Sequence, residues 1–96
     1  MTYDIRHDAK ARKFSVEVDG EYCELDYLLA GKIMTITHTG VPQAVGGRGI
    51  AAALVLTAFA LARSEGWRVI PACSYAAVFV RRHPEYADLI ASRPVH

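Results

Sequence analysis

The chain has 96 residues, 52% of them hydrophobic and 22% charged, enough for one small core and too apolar for intrinsic disorder. Eleven Lys and Arg against ten Asp and Glu leave a formal net charge of +1, which gives no basic excess for a nucleic-acid face or a polybasic membrane anchor. The two cysteines, Cys23 and Cys73, lie far apart without CxxC spacing, so neither a disulfide framework nor a zinc site is expected.

The N-terminus, Met1-Thr2-Tyr3-Asp4-Ile5-Arg6-His7, is polar and lacks the apolar stretch of a secretory leader. The longest uncharged apolar run, Gly49 to Ala62, has fourteen residues, against the roughly 20 that a bilayer-spanning helix needs. A soluble, cytoplasmic chain is the expectation, with no membrane partner and no nucleic acid.

The first forty residues read as strands. Phe14, Val16 and Val18 alternate with Lys13, Ser15 and Glu17, the period of a half-buried strand. Asp19-Gly20 follows, the dipeptide preferred in a two-residue type I′ hairpin turn. This turn predicts Val18 opposite Glu21, Val16 opposite Cys23 and Phe14 opposite Leu25, with the apolar residues of both strands on one face. Ala30-Gly31 reads as the next turn, followed by a strand from Lys32 to Thr39. A two-residue loop there pairs Tyr27 with Met34, Leu25 with Ile36 and Cys23 with His38, which places His38 on the apolar face.

Thr39 to Gly47 reads as a loop. Ile50 to Ala62 has the helix propensity and length of a helix, with Arg63 at its negative end and Gly66 as the residue after it. Because it is apolar on every side, cover from more than one element or from a partner is expected. Trp67 to Ala72 reads as a short strand, Ser74 as the cap of a helix through Arg82, and Pro84 as the start of a last helix through Ile90. Four strands, a helix, a strand and two helices make an α+β fold. Its sheet is mostly antiparallel, with the last strand parallel to its neighbour after the helical crossover.

The stretch Val41-Pro42-Gln43-Ala44-Val45-Gly46-Gly47-Arg48-Gly49-Ile50-Ala51 joins a strand to a helix N-terminus. Unpaired N–H groups and the helix dipole make such a junction an anion site, and its glycines let a ligand approach the backbone. No Lys-Ser or Lys-Thr follows and no βαβ unit carries it, so neither a P-loop nor a dinucleotide fingerprint is present. A phosphate or pyrophosphate is one reading, and a glycine-requiring tight turn is the other. Cys73 sits at a strand end and a helix start, where N–H groups stabilise a thiolate. It reads as a nucleophile, an acid or a buried inert thiol; Cys23, mid-strand on the apolar face, reads as core. No His, Cys and carboxylate group has metal-ligand spacing.

Gly46-Gly47-Arg48-Gly49-Ile50-Ala51 resembles the pyrophosphate loop of GNAT acyltransferases, Gln/Arg-x-x-Gly-x-Gly/Ala, with Gly49 and Ala51 at its last two fixed positions. Gly46 departs from the first. His38-Thr39-Gly40-Val41-Pro42, Ile70-Pro71-Ala72-Cys73-Ser74-Tyr75 and Arg82-His83-Pro84-Glu85-Tyr86-Ala87-Asp88-Leu89 narrow the resemblance to a minimal GNAT-like family of about this length, with a Cys after the last core strand. Where that family usually carries an acidic residue this chain has Gly40. The helical Tyr that larger GNAT enzymes use as general acid has no counterpart in Ala76-Ala77-Val78-Phe79-Val80.

The resemblance implies a GNAT-like fold and acetyl-CoA as cosubstrate, without a metal. It implies that Val41, Val45, Gly46, Gly47, Arg48, Gly49, Ile50 and Ala51 hold the cofactor, with backbone amides from Val45 to Ala51 on the pyrophosphate. Arg48 is then a phosphate contact or a solvated loop residue. Cys73 and His38 are the implied catalytic residues, Cys73 as acyl acceptor or acid and His38 as base on an amine or on Cys73, with a half-buried structural histidine the other reading of His38. The implied partner is an amine acceptor, small molecule or protein, with the chain a monomer or weak dimer. A non-catalytic acyl-CoA-binding or protein-interaction module is the alternative.

Overall fold

A computed structural model describes residues 3–91. A short edge strand, β1 (Arg6–Asp8), is followed by β2 (Lys13–Val18), β3 (Glu21–Ala30) and β4 (Ile33–Gly40). After a 3₁₀ turn at Gln43–Val45 come α1 (Ile50–Glu65), β5 (Arg68–Pro71), α2 (Ser74–Arg82) and a 3₁₀ segment at Pro84–Leu89. The strands form one five-stranded sheet in sequence order. Its first four strands are antiparallel and β5 runs parallel to β4.

Asp19 and Gly20 both take left-handed backbone, φ 51° and 78°, which gives the type I′ turn that matches strand twist. The expected register follows, with Val18 opposite Glu21, Val16 opposite Cys23 and Phe14 opposite Leu25. The next hairpin differs from the sequence reading. Its loop is Gly31-Lys32, because Ala30 pairs with Ile33 and Gly31, at φ 59°, supplies the first central position of a type II′ turn. Tyr27 therefore faces Ile36 rather than Met34, a two-residue shift that leaves the alternation intact.

A bulge then changes the alternation. Tyr27 pairs with Ile36 but Asp26 with His38, so Thr37 is an extra residue, its hydroxyl donating to the Asp26 carbonyl at 3.3 Å. One inserted residue exchanges the two faces beyond it. His38 is thus carried to the exposed face, and Thr39, opposite Leu25, turns inward. The placement of His38 on the apolar face, opposite Cys23, is corrected by this bulge.

Phe14, Val16, Cys23, Leu25, Tyr27, Met34 and Ile36 form the buried side of the sheet. Against them α1 lays Ile50, Leu54, Val55, Ala58, Phe59 and Ala62, one stripe at helical spacing. The expected cover from more than one element is supplied by the sheet on one side and by α2 and the Pro84–Leu89 segment on another, which still leaves part of the helix outward. Ala60 and Leu56 face outward, Leu56 being 40% exposed, and the small side chains that dominate this helix make such exposure cheap. Phe59 meets Phe79 of α2 at 5.9 Å and Tyr86 at 5.2 Å between ring centroids, so the helices share one face of the sheet. The other face carries Lys13, Glu24, Asp26 and His38, with no helix over it among the described residues.

Two smaller corrections concern α2 and the segment after it. The N-cap of α2 is Cys73, not Ser74: Cys73 is extended (φ −81°, ψ 151°) and its sulfur accepts from the Ala76 N–H. The segment begun by Pro84 is 3₁₀ rather than α and ends at Leu89. Among the described residues no helix is long and apolar enough to cross a membrane.

Candidate functional site

The sheet opens where β4 outruns β5. Pairing between them ends at Ile36 and Pro71, and the Ala72 and Cys73 N–H groups both donate to the Ile36 carbonyl at 3.0 Å. Beyond that point His38 to Gly40 stay paired with β3 on one side only. The result is a fork, with the end of β4 as one prong and the β5–α2 junction as the other. Backbone groups on the free edge of β4 must find a partner in water or in a ligand.

The α1 N-terminus borders the same region. Gly49, at φ 76°, caps the helix without a side-chain bond, and the first N–H bonded to a backbone carbonyl is that of Ala53, to Gly49. Among the described residues the N–H groups of Gly47 to Ala52 have no acceptor, whereas those of Val45 and Gly46 are bonded to Pro42 and Gln43 in the 3₁₀ turn. The amides expected from Val45 to Ala51 are therefore displaced to Gly47 to Ala52. A cleft of about 250 Å³ lies here, lined by Val41, Gly46, Gly47, Gly49, Ile50, Ala51, Ala52 and Tyr75. Free amides at the positive end of a sixteen-residue helix make this a place for a phosphate.

Two expected cofactor residues do not line it. Val45 is 1% exposed and belongs to the core. Arg48 turns away and pairs with Asp19 of the β2–β3 turn, while its carbonyl accepts from the Tyr3 hydroxyl at 2.7 Å. Two lining residues were not read from sequence. Ala52 is implied by helix geometry, since the first three helical N–H groups all lack partners. Tyr75 stands on the first turn of α2, 37% exposed, and partial desolvation pushes its phenol above the ordinary tyrosine value.

A larger open groove of about 720 Å³ lies between the N-terminal segment and the β2–β3 hairpin, with Tyr3, Arg6, Val18 and Tyr22 in its wall. It has neither a helix N-terminus nor a strand fork, and its lining sets the carboxylates of Asp4, Glu17 and Asp19 against the one cation Arg6, so its charge does not favour an anion.

Cys73 is in the fork. Its sulfur is 3.3 Å from the Ala76 nitrogen and 3.4 Å from Thr39 Oγ1, so the bulge that turned Thr39 inward also supplied this contact. Cys23, by contrast, is fully buried, and desolvation pushes its thiol up; it is a core residue.

His38 lies on the other side of β4. Its Nε2 is 3.6 Å from Glu24 Oε2, and no contact joins it to Cys73. The structure thus does not bring the two expected catalytic residues together; it sets His38 on the open face of the β4 prong and Cys73 on the other prong, at the β5–α2 junction. Glu24, Asp26 and His38 offer ligand atoms within 4.8 Å of one another, yet a cation already stands there. Lys13 Nζ is 2.6 Å from Glu24 and 3.0 Å from Asp26, and these hydrogen bonds hold its ammonium well above the ordinary lysine range.

A mixed five-stranded sheet with its helices on one face, a fork after a β4 bulge and an uncapped helix beside that fork define a fold of the acyl-CoA N-acyltransferase class. Residues 13–89 match the family model described as GCN5-related N-acetyl-transferase, and the chain belongs to that family. It is 36% identical over 83 residues to protein NATD1 of Bos taurus, covering 83% of this chain and 74% of that protein. It is 34% identical over 91 residues to protein NATD1 of Danio rerio, covering 90% and 83%. A GCN5-like protein from Staphylococcus aureus superposes with TM-score 0.76 at 25% identity, over 98% of this chain and 93% of that one. The ribosomal-protein-alanine N-acetyltransferase of Brucella melitensis biovar Abortus 2308 shares the fold, with TM-score 0.52 and 18% identity over 88% and 65%.

Proposed function

We propose that the chain binds acetyl-CoA across the fork between β4 and β5 and transfers its acetyl group to an amine. One observation carries this reading: free amides from Gly47 to Ala52 lie beside the point where β4 and β5 part. A pyrophosphate on the helix end and a thioester in the fork need both features at once. Arg48 joins the phosphates only by leaving Asp19.

In the reaction an amine nitrogen attacks the thioester carbonyl carbon, and a base removes the proton that the nitrogen sheds. The C–S bond breaks, and the departing CoA thiolate takes a proton from a donor, leaving an N-acetyl amine and CoA thiol. A free N–H on the β4 edge polarises the carbonyl as the tetrahedral oxyanion forms. His38, on the open face, is the base for an acceptor that approaches from that face. Cys73, in the fork, is the proton donor to the thiolate or takes the acetyl group itself before passing it on.

The test follows CoA thiol release with a panel of primary amines, in wild type and in Cys73→Ser. Serine is a favoured N-cap, so the Ala76 bond survives and the melting temperature stays within a few degrees. Release is expected to fall by roughly 100-fold, the usual contribution of a positioned proton-transfer group or nucleophile. Cys73→Ala, which removes the cap, costs about 1 kcal/mol of stability in addition. Saturable binding with no release on any amine would instead make the chain an acyl-CoA-binding module.

A further inference from the structure

On the open face of the sheet four side chains form a continuous line across β2, β3 and β4. Asp26 Oδ1 and Glu24 Oε1 both hold Lys13 Nζ, at 3.0 and 2.6 Å. The second oxygen of Glu24 faces His38 Nε2 at 3.6 Å. Glu24 thus has one oxygen fixed by an ammonium and the other turned to the imidazole. The ring also occupies the space above Gly40, the cross-strand partner of Glu24: a Cβ at position 40 would come within 2.9 Å of His38 Nε2. Its position is therefore defined from one side by a carboxylate and from below by a missing side chain.

We infer that Glu24 is a positioning residue that fixes the tautomer of His38, holding the proton on Nε2 and leaving Nδ1 as the nitrogen with the free lone pair. The electrostatics are simple. A carboxylate oxygen attracts an N–H and repels a lone pair, and in a neutral imidazole the nitrogen that faces a carboxylate is the protonated one. The Lys13 ammonium holds Glu24 in place, and Asp26 keeps Lys13 from swinging away. Gly40 is required because any larger residue would push the ring off Glu24. This inference deepens the reading of His38 as the base and rests on it for its catalytic consequence, but the tautomer itself is a property of the free protein.

The experiment is a long-range ¹⁵N–¹H correlation spectrum of the imidazoles in ligand-free protein, at a pH where His38 is neutral, for wild type, Glu24→Ala, Glu24→Gln and Gly40→Ala. Wild type is expected to show the Nε2–H pattern for His38. Glu24→Ala is expected to lose it to a mixture of tautomers, and Glu24→Gln to restore most of it through the amide oxygen. Gly40→Ala should keep the backbone spectrum, since only the far end of the His38 side chain must move, yet shift both ring nitrogens. An Nδ1–H pattern in wild type, or an unchanged pattern in Glu24→Ala, overturns the assignment.

Acetyl transfer supplies the second readout. Glu24→Ala should lower kcat about 10-fold with KM unchanged, the low end of what loss of an imidazole's orienting carboxylate costs elsewhere. If the tautomer changes as expected and kcat does not, Glu24 fixes the ring but His38 is not the base; the proposed function then fails at that residue while the tautomer assignment holds.

Discussion

Gly49→Glu is expected to weaken acetyl-CoA binding by about 100-fold while leaving the protein folded. Gly49 has φ 76°, and a Cβ built there meets nothing within 4 Å. The cost to the fold is thus the left-handed backbone of an L-residue, about 1–2 kcal/mol. The cost to the ligand is larger. A carboxylate at the cap of α1 occupies the positive end of the helix and repels the phosphates that the amides of Ile50 to Ala52 would hold. Losing two charge-assisted hydrogen bonds at about 1.5 kcal/mol each is about 3 kcal/mol, or roughly 100-fold in affinity. Gly49→Asn separates the two effects, because asparagine tolerates the left-handed region and carries no charge. Calorimetry on all three proteins is the measurement. A folded Gly49→Glu with wild-type affinity would place the phosphates elsewhere.

Phe59→Ala is the second large effect, and it is on stability. Phe59 is 1% exposed at the middle of α1, against Phe79 of α2 and Tyr86 of the 3₁₀ segment. Removing a buried phenyl ring costs about 3–5 kcal/mol in lost transfer energy and cavity. That is a large fraction of the roughly 5–15 kcal/mol that holds a small domain folded. The consequence reaches the site, because these rings hold α2 against α1 and Cys73 is the N-cap of α2. Denaturant unfolding should show a much lower midpoint with an unchanged slope, and a loss below about 1 kcal/mol would show that the rings do not join the two helices.

Much of this architecture was legible where local chemistry decides the outcome. Asp19-Gly20 determined a register that the structure reproduces pair for pair, because only residues tolerant of positive φ make a tight I′ turn. Gly66, at φ 75° after α1, did the same for the helix end. Position 38 was not legible. The run from Met34 to Thr39 alternates without interruption, and nothing in its residue types marks Thr37 as the extra one. A bulge is chosen by the fit of two strands and the hydrogen bond from Thr37 to Asp26, which are tertiary facts. With it went the face of His38 and the inward turn of Thr39 toward Cys73.

The site shows the same division. Gly46, Gly47, Gly49, Ile50 and Ala51 line the cleft, as glycine spacing before a helix implies. Arg48 does not, because its partner, Asp19, is distant in sequence and only the fold brings the two together. The row of Lys13, Glu24, Asp26 and His38 was invisible for the same reason: it draws on three strands, Lys13, Glu24 and Asp26 each read alone as a solvated charge, and the sequence register set His38 on the other face.

The central claim is that one ligand spans the α1 N-terminus and the β4–β5 fork. Titration of ¹⁵N-labelled protein with acetyl-CoA, followed through the backbone amides, tests it most directly. The largest shifts are predicted at Gly47 and Gly49 to Ala52, where the free N–H groups would bind phosphate, and a second set from Thr37 to Thr39 and at Cys73, where the thioester would lie. Shifts gathered around Tyr3, Val18 and Tyr22 in the larger groove, or no shifts at saturating acetyl-CoA, would contradict it.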